Sequence, residues 1–555
     1  MNGAAAAKGN KPAKPLPLDH LTMNLFGPGM TAVHRAGLGG LACTLRTIES
    51  QYEAGLLSKA KLPAPFNGDA PPWDIAASSI KLRFGKPENA HEFLKKLFAF
   101  AFAIRKDGLI FLPGQFNVEP SAAVLADLQN GLILTFLQHN QARELAKERA
   151  TTSYDSQGDG LPSVIVEYRK CSWFKHQDGA EMFVDKYGCL TRKSIGVGGP
   201  LSPGTAVRHV AFTGDTTAED PPERMLPLFF ALVGCLPLPV NRGVAALLVP
   251  EVESLTDFVI DRQLMSPSTA QECQIANAAD AALQAQVRLR GKKAIAGSAV
   301  PGCYAMTFAP TAWASQQKSR VATLHVPRGE DKTLDRFARA LSYLPLRIVP
   351  HTVKKSAGRG KQKKTTERTE MFRSDSVVRP LIAENLALGE AWYAGFVKLV
   401  TRTNPATGKP YRNQLGFERK GLHSMISDAT MWDQEGEKLL VQAVHAAISN
   451  SLGRIRDETD GSKPLSQATK NRWNRFREKL RLNLAGAKTE SHVRFALMDL
   501  FSRGGNNGVL RSGWQDVLPV IRKDWQLARD LGLLALASYA GRDSGDDLSV
   551  DATAK

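Results

Sequence analysis

The stretch LFGPGMTAVHRAGLGGLACTL, Leu25 to Leu45, carries the chain from a strand into a long helix. The residues leading into it, HLTMNLFG (20–27), read as a strand. GPG then breaks the chain direction, and from Met30 to about Ser58 the pattern is helical. Inside that helix Ala36, Gly37, Gly39 and Gly40 leave almost no side chain over a full turn. They lack the Gly-x-Gly-x-x-Gly order of a dinucleotide loop, and no phosphate-loop lysine follows them. The small residues therefore predict close helix packing in a core rather than a phosphate cradle.

Downstream, strand and helix signals alternate. SSIKLRFG (78–85) has period two, NAHEFLKKLFAFAFAI (89–104) has helical periodicity, and GLIFLPG (108–114) is a short apolar strand. A helix is expected over Ser121–Ala150, with Ser121 as N-cap behind Pro120. PSVIVEYRKCSWFKH (162–176) begins as a strand and ends with Arg169, Lys170, Trp173 and Lys175 together. SIGVGGPLSPGTAVRHVAF (194–212) reads as a Gly/Pro-rich loop between two strands. Residues 228–259 read as two apolar strands around the turn NRG, then a helix near Glu253. A helix over about Thr269–Arg288, strands at 303–310 and 319–327, a helix at 334–344 and a strand at 346–351 complete this part.

From about Asn385 helical periodicity takes over. Leu440, Ala443, Val444, Ala447, Ile448 and Leu452 form a stripe at 3.6 spacing. Further helices are expected over Ser466–Leu484, about Glu490–Ser502 and about Trp514–Tyr539, giving a four-helix antiparallel bundle. The fold class is thus α+β: a mixed α/β body over 18–384, then an all-α bundle over 385–540. Residues 1–17 and the acidic 541–555 read as disordered tails.

The chain has 555 residues and a net charge of +18, which favours a polyanionic partner. The six cysteines form no Cys-x-x-Cys pair and suit a reducing cytosol. The N-terminus has no signal-peptide core. The longest apolar run is broken by Pro227, Pro237 and Pro239, so no membrane partner is expected and the chain reads as cytoplasmic. No catalytic motif stands out. HEFL (91–94) lacks the second histidine of a zinc protease, and GRDSG (541–545) sits in a tail. Neither metal nor cofactor is expected, and the chain reads as a non-enzyme. The alternative is a nucleic-acid-modifying enzyme or nuclease with an unfamiliar site.

The remaining signals are basic. KKSAGRGKQKK (354–364) reads as a solvated loop whose Lys354, Lys355, Arg359, Lys361, Lys363 and Lys364 contact a nucleic-acid backbone, with Arg368 and Arg373 extending it. KNRWNRFREKLRLNL (470–484) sets Lys470, Arg472, Arg475 and Lys479 on a helix's polar side, with Trp473 and Phe476 toward the bundle. RLRGKK (288–293) is a third cluster.

Two stretches carry a resemblance. LFGPGMTAVHRAGLGGLACTL (25–45) resembles the opening of the large subunit of type I CRISPR Cascade complexes, in its myxobacterial-type branch. GVAALLVPEVESL (243–255) also resembles a stretch of that family, and the order of α/β body then helical bundle agrees. The resemblance implies partners: crRNA, double-stranded target DNA, the backbone, handle-binding and small Cascade subunits, and a separate helicase-nuclease. It implies that the chain reads a short duplex motif beside the target (the PAM), promotes duplex opening and R-loop formation, and leaves cutting to that nuclease. Candidate PAM-reading or wedge loops are GQFN, with Gln115 and Asn117, and GVGGPLSPG, with Gly198 and Gly199. In related systems the small subunit is translated from inside the large-subunit gene. Met425 and Met431 are the corresponding candidate starts, making about 425–540 small-subunit-like.

Overall fold

The computed structural model describes residues 17–63, 70–138, 140–155, 163–198, 217–240, 243–292, 300–309, 320–357, 364–374, 376–403, 412–459 and 466–541. β1 (His20–Asn24) leads into α1 (Ala32–Glu53) through a turn in which Gly29 takes φ +81°, a conformation that side chains resist. Thr31 caps α1, and its Oγ1 accepts the His34 N–H. β2 (Trp73–Ile75) and β3 (Ser79–Arg83) complete a small antiparallel sheet in the order β1-β3-β2. α2 (Ala90–Ala101) follows, then the short pair β4 (Ala103–Ile104) and β5 (Ile110–Phe111).

The next helix, α3 (Ala122–Leu134), is shorter than expected, and Arg143–Ala150 lies on a strand instead. β6 (Arg143–Tyr154) pairs with β7 (Val164–Phe174) as a long antiparallel hairpin. α3 has a continuous apolar face to bury, whereas residues 143–154 are polar and largely exposed and end in Thr151, Thr152 and Tyr154, which favour strands. β8 (Ile195–Gly198) and β9 (Thr217–Asp220) form a second pair.

Residues 222–234 correct the sequence reading again. The apolar run expected as a strand is a helix, α4 (Pro222–Gly234), with Pro222 in its first turn. Continuous apolar runs carry no period, so burial on all sides hides the helix. Here the glycines of α1 find their partner. A Cβ on Gly37 would lie 1.9 Å from the Pro227 carbonyl oxygen, and one on Gly40 2.3 Å from that of Phe230. On the facing helix, a Cβ on Gly234 would lie 1.8 Å from the Ala36 carbonyl oxygen. The two helices touch backbone to backbone.

β10 (Leu236–Val240) and β11 (Val244–Pro250) continue into α5 (Leu255–Met265) and α6 (Ala278–Lys292). The expected α6 start at Thr269 gives way to an irregular stretch, and Asn277 Oδ1 accepts the Asp280 N–H at the real start. β12 (Gly302–Ala309) and β13 (Arg320–Pro327) finish a four-stranded antiparallel sheet in the order β10-β11-β12-β13. Arg262, on α5, is wholly buried and donates to the carbonyls of Val233, Gly234 and Cys235, the orphan acceptors at the end of α4.

α7 (Asp331–Tyr343) precedes β14 (Arg347–Ala357) and β15 (Lys364–Ser374), and the rest is helical. α8 (Arg379–Ala387), α9 (Val397–Thr401) and α10 (Arg412–Ser427) lead to α11 (Glu435–Thr459), the centre of the bundle. Around it stand α12 (Gln467–Ala485), α13 (Glu490–Gly504), α14 (Gly508–Lys523) and α15 (Trp525–Ser538). The helix expected over 514–539 is two: Asp524 interrupts it, and its Oδ1 accepts the N–H groups of Gln526 and Leu527 to start α15. One hydrophobic core runs from Leu21 through to Ala535.

Candidate nucleic-acid interface

The basic stretch at 354–364 is not a plain loop. β14 and β15 form an antiparallel hairpin of eleven-residue strands, roughly 35 Å long at ~3.4 Å per residue. Lys354 and Lys355 lie on β14, in register with Glu367 and Thr366, and Lys364 opens β15 opposite Ala357. Arg359, Lys361 and Lys363 lie outside the described residues. The alternation in RIVPHTV and TTERTEMF was the available signal, masked by the run of lysines.

Arg373, expected to extend the basic surface, is committed elsewhere. Its guanidinium meets the buried Asp127 carboxylate at 2.9 and 3.2 Å, and its Nε lies 3.3 Å from the Tyr154 hydroxyl. Burial pushes the Asp127 carboxyl up, and the Arg373 charge opposes that shift. At the other strand, Arg347 stacks over the Phe417 ring at 4.1 Å. Both strands of the hairpin are thus rooted at its base.

On α12 the expected sides hold. Trp473 packs inward and donates to the Leu452 carbonyl at 3.0 Å, and Phe476 packs on the core. Lys470, Arg472, Arg475 and Lys479 are exposed. Arg472 pairs with Glu458 at 3.0 Å, whereas Lys470, Arg475 and Lys479 have no ion-pair partner among the described residues. Arg481 is held by Glu478 at 2.7 Å, and Arg477 lies 6.0 Å from the Tyr539 ring. An open depression of about 480 Å³ runs along this helix, lined by Asn474, Arg475, Glu478, Lys479, Leu482 and Asn483.

The third cluster is structural. Arg288 is buried and donates to the Met265 carbonyl, and Arg290 bridges to Asp335 at 2.6 Å. Gln115 is also corrected: it is 2% exposed and its Nε2 donates to the Leu232 carbonyl at 2.7 Å, so no groove can reach it. Asn117, two residues on, is exposed. Gly198 ends β8, and Gly199 lies outside the described residues. Met425 and Met431 are both fully buried, in α10 and just ahead of α11.

The sequence reading missed a second charged ribbon, because it placed Arg149 on a helix. Arg149 stands opposite Arg169 in the β6–β7 register, with Lys147 and Lys170 exposed nearby. Arg149 pairs with Glu167, and a bulge between Leu145 and Arg149 interrupts the pairing. A hydroxyl–imidazole–carboxylate chain also exists: Thr31 Oγ1 lies 2.7 Å from His34 Nδ1, and His34 Nε2 lies 3.2 Å from Asp220. Its geometry is that of a helix cap, and Arg224 occupies Asp220 from the other side at 2.6 Å. Among the described residues no group of three or more metal-ligating side chains converges, and no helix is long and apolar enough to cross a membrane.

Comparison with known proteins agrees with this architecture. Residues 22–229 match the DevT N-terminal domain and residues 428–555 the DevT C-terminal domain. The chain is 34% identical over 563 aligned positions to the CRISPR-associated protein Cas8a1/Csx13 of Myxococcus xanthus (strain DK1622), covering 97% of this chain and 91% of that protein.

Proposed function

The chain belongs to the Cas8a1/Csx13 family, the large subunits of type I CRISPR Cascade complexes in their myxobacterial-type branch, and from that premise we propose how it works. It binds PAM-containing double-stranded DNA, promotes duplex opening and R-loop formation beside the crRNA, and presents the complex to a separate helicase-nuclease. Guide pairing reads the long sequence, so the protein need read only a few base pairs and hold backbone. The observation that carries this reading is the rooted hairpin, which sets Lys354, Lys355 and Lys364 on a long ribbon. Arg359, Lys361 and Lys363 follow from sequence as members of the same phosphate-contacting set, and Lys470, Arg472, Arg475 and Lys479 on α12 supply a second surface. Asn117 and the Gly198–Gly199 stretch are the PAM-reading candidates. The other Cascade subunits are its protein partners.

The test is purification of the tagged chain together with the products of its neighbouring genes. Short repeat-derived RNA should come with it, and the purified complex should shift a PAM-containing duplex more strongly than one with the PAM scrambled. Absence of RNA refutes the assignment. Metal-dependent DNA cleavage by the lone chain, abolished by a point substitution, would establish the nuclease alternative instead. The same preparation tests internal initiation. A fragment beginning at Met431 would hold α11 to α15 entire, and one beginning at Met425 would add the last turn of α10. Mass spectrometry of the complex detects either, and only the full-length chain should appear if both methionines are ordinary.

A further inference from the structure

α12, like α14, buries few of its residues. Only Thr469, Leu480 and Leu484 of its nineteen residues are buried, so the helix stands proud of the bundle. At ~100° per residue, Gln467, Asn471, Asn474, Glu478 and Leu482 fall in one row along the outward face. Lys470 flanks this row on one side, beside a largely buried Arg481 bound to Glu478, and Arg475 and Lys479, with the Glu458-paired Arg472, flank it on the other. Gln467 Nε2 donates to Asn471 Oδ1 at 3.1 Å, which fixes both amides and leaves Asn471 an outward donor. Glu478, the one anion in the row, is held by two bonds from Arg481 at 2.7 and 2.8 Å.

We propose that α12 lies in the major groove of a B-form DNA duplex, with Asn471 and Asn474 reading base edges while the flanking cations hold the two phosphate backbones. The proposal rests on the nucleic-acid reading of this helix and deepens it from backbone tracking to base recognition. Three features select the duplex. A single helix fills a groove about 12 Å wide, and paired amide groups match adenine edges there. Lys470 on one flank and Arg475 with Lys479 on the other suit two backbones, where a single strand presents one. A single-strand platform needs exposed aromatic rings, and on α12 Trp473 and Phe476 are packed toward the bundle. The major groove of A-form RNA is too narrow for a helix.

The experiment selects short duplexes from a randomised DNA pool with the full-length chain. It then compares the enriched duplex, a scrambled one and each single strand by fluorescence anisotropy. The enriched duplex should bind roughly tenfold or more tighter than the scrambled one. Asn471→Ala with Asn474→Ala should abolish that preference and leave the salt slope unchanged. Arg475→Ala with Lys479→Ala should keep the preference and reduce the slope by about two. Both pairs are exposed, so melting temperatures should match the parent. No enriched sequence, a preference that survives the amide pair, or tighter binding of a single strand overturns base reading by α12. An unchanged slope in the cationic pair goes further and removes α12 from the nucleic-acid surface altogether.

Discussion

Gly37→Ala adds one methyl group where the structure has no room. The new carbon would stand 1.9 Å from the Pro227 carbonyl oxygen and 3.1 Å from the Ala231 nitrogen, both main-chain atoms that no rotamer can move. Ordinary carbon–oxygen contact begins near ~3.2 Å, so α1 and α4 must separate by about 1.3 Å along a seam of otherwise packed core. Overpacking of this kind costs roughly 1–3 kcal/mol, and the upper end applies because backbone must yield. Alanine's helix preference returns only about 0.5–1 kcal/mol, leaving a net loss near 2 kcal/mol. Gly453→Ala is the control. It sits in α11 with nothing within 4 Å of its Cβ, so only the propensity gain remains. Thermal and urea unfolding of the full chain, read by circular dichroism, should move the midpoint down for Gly37→Ala and slightly up for Gly453→Ala. A Gly37→Ala chain as stable as the parent would falsify the close-packed crossing.

Three further outcomes follow from the placement of charge. His176 is wholly buried among Phe102, Phe174 and Phe229, neither ring nitrogen has a hydrogen-bond partner among the described residues, and burial pushes it down to about 3. An imidazole depressed in the folded state binds its proton more readily unfolded. Its stabilising contribution is therefore present above about pH 6.5 and is lost as pH falls toward 3, by about 2 kcal/mol at pH 5. His176→Phe should shrink the pH 7.5-to-5 stability difference by that amount, and an undiminished difference refutes it. Replacing the six cations between Lys354 and Lys364 by alanine should reduce the slope of log affinity against log salt by up to about 5 for all duplexes alike. Full retention of the slope would remove the hairpin from the DNA surface. Arg373→Met leaves the buried Asp127 unpaired and should cost roughly 3–5 kcal/mol, with Asp127→Asn in the same chain restoring most of it. Failure of the second substitution to rescue would show that Arg373 acts through packing alone.

Where the sequence was legible, its period was unambiguous. The stripe from Leu440 to Leu452 has one reading, and Ser121 stands as the N-cap it was expected to be. The glycines of α1 announced a close neighbour but could not name it, because α4 lies far along the chain. α4 itself was hidden by being apolar on every side. The strand from Arg143 was hidden by Ala, Glu and Lys residues whose intrinsic preference is helical, overridden by pairing with Val164–Phe174. Among site residues, exposure on α12 followed from its periodicity. Gln115 was misread because a Gly–Gln–Phe–Asn tetrapeptide looks like a surface turn, and only tertiary packing places its amide under the Leu232 carbonyl.

The hairpin and α12 belong to parts of the chain that share one hydrophobic core. Two polar seams, through Glu418 and Arg336, tie the helical bundle to the body, and two more, Asp280 with Arg379 and Asp530 with Gly395 and Val397, brace each part from within. Asp280 meets Arg379 at 2.7 Å in full burial. Glu418 of α10 accepts the N–H groups of Val377 and Val378 just ahead of α8. Asp530 of α15 accepts the N–H groups of Gly395 and Val397, and Arg336 of α7 grips Asp433 before α11. The Asp280–Arg379 pair is the one buried ion pair among these contacts, and breaking it would leave an uncompensated charge. The hairpin is rooted through Arg373 and α12 is anchored through α11. The same seams bear on internal initiation. A fragment starting at Met431 loses the amides that satisfy Asp530 and the Trp392 and Tyr393 rings that pack on Trp432. Asp530, 2% exposed in the full chain, would be left without those two donors. Such a fragment would have to dock on another subunit of the complex to remain folded.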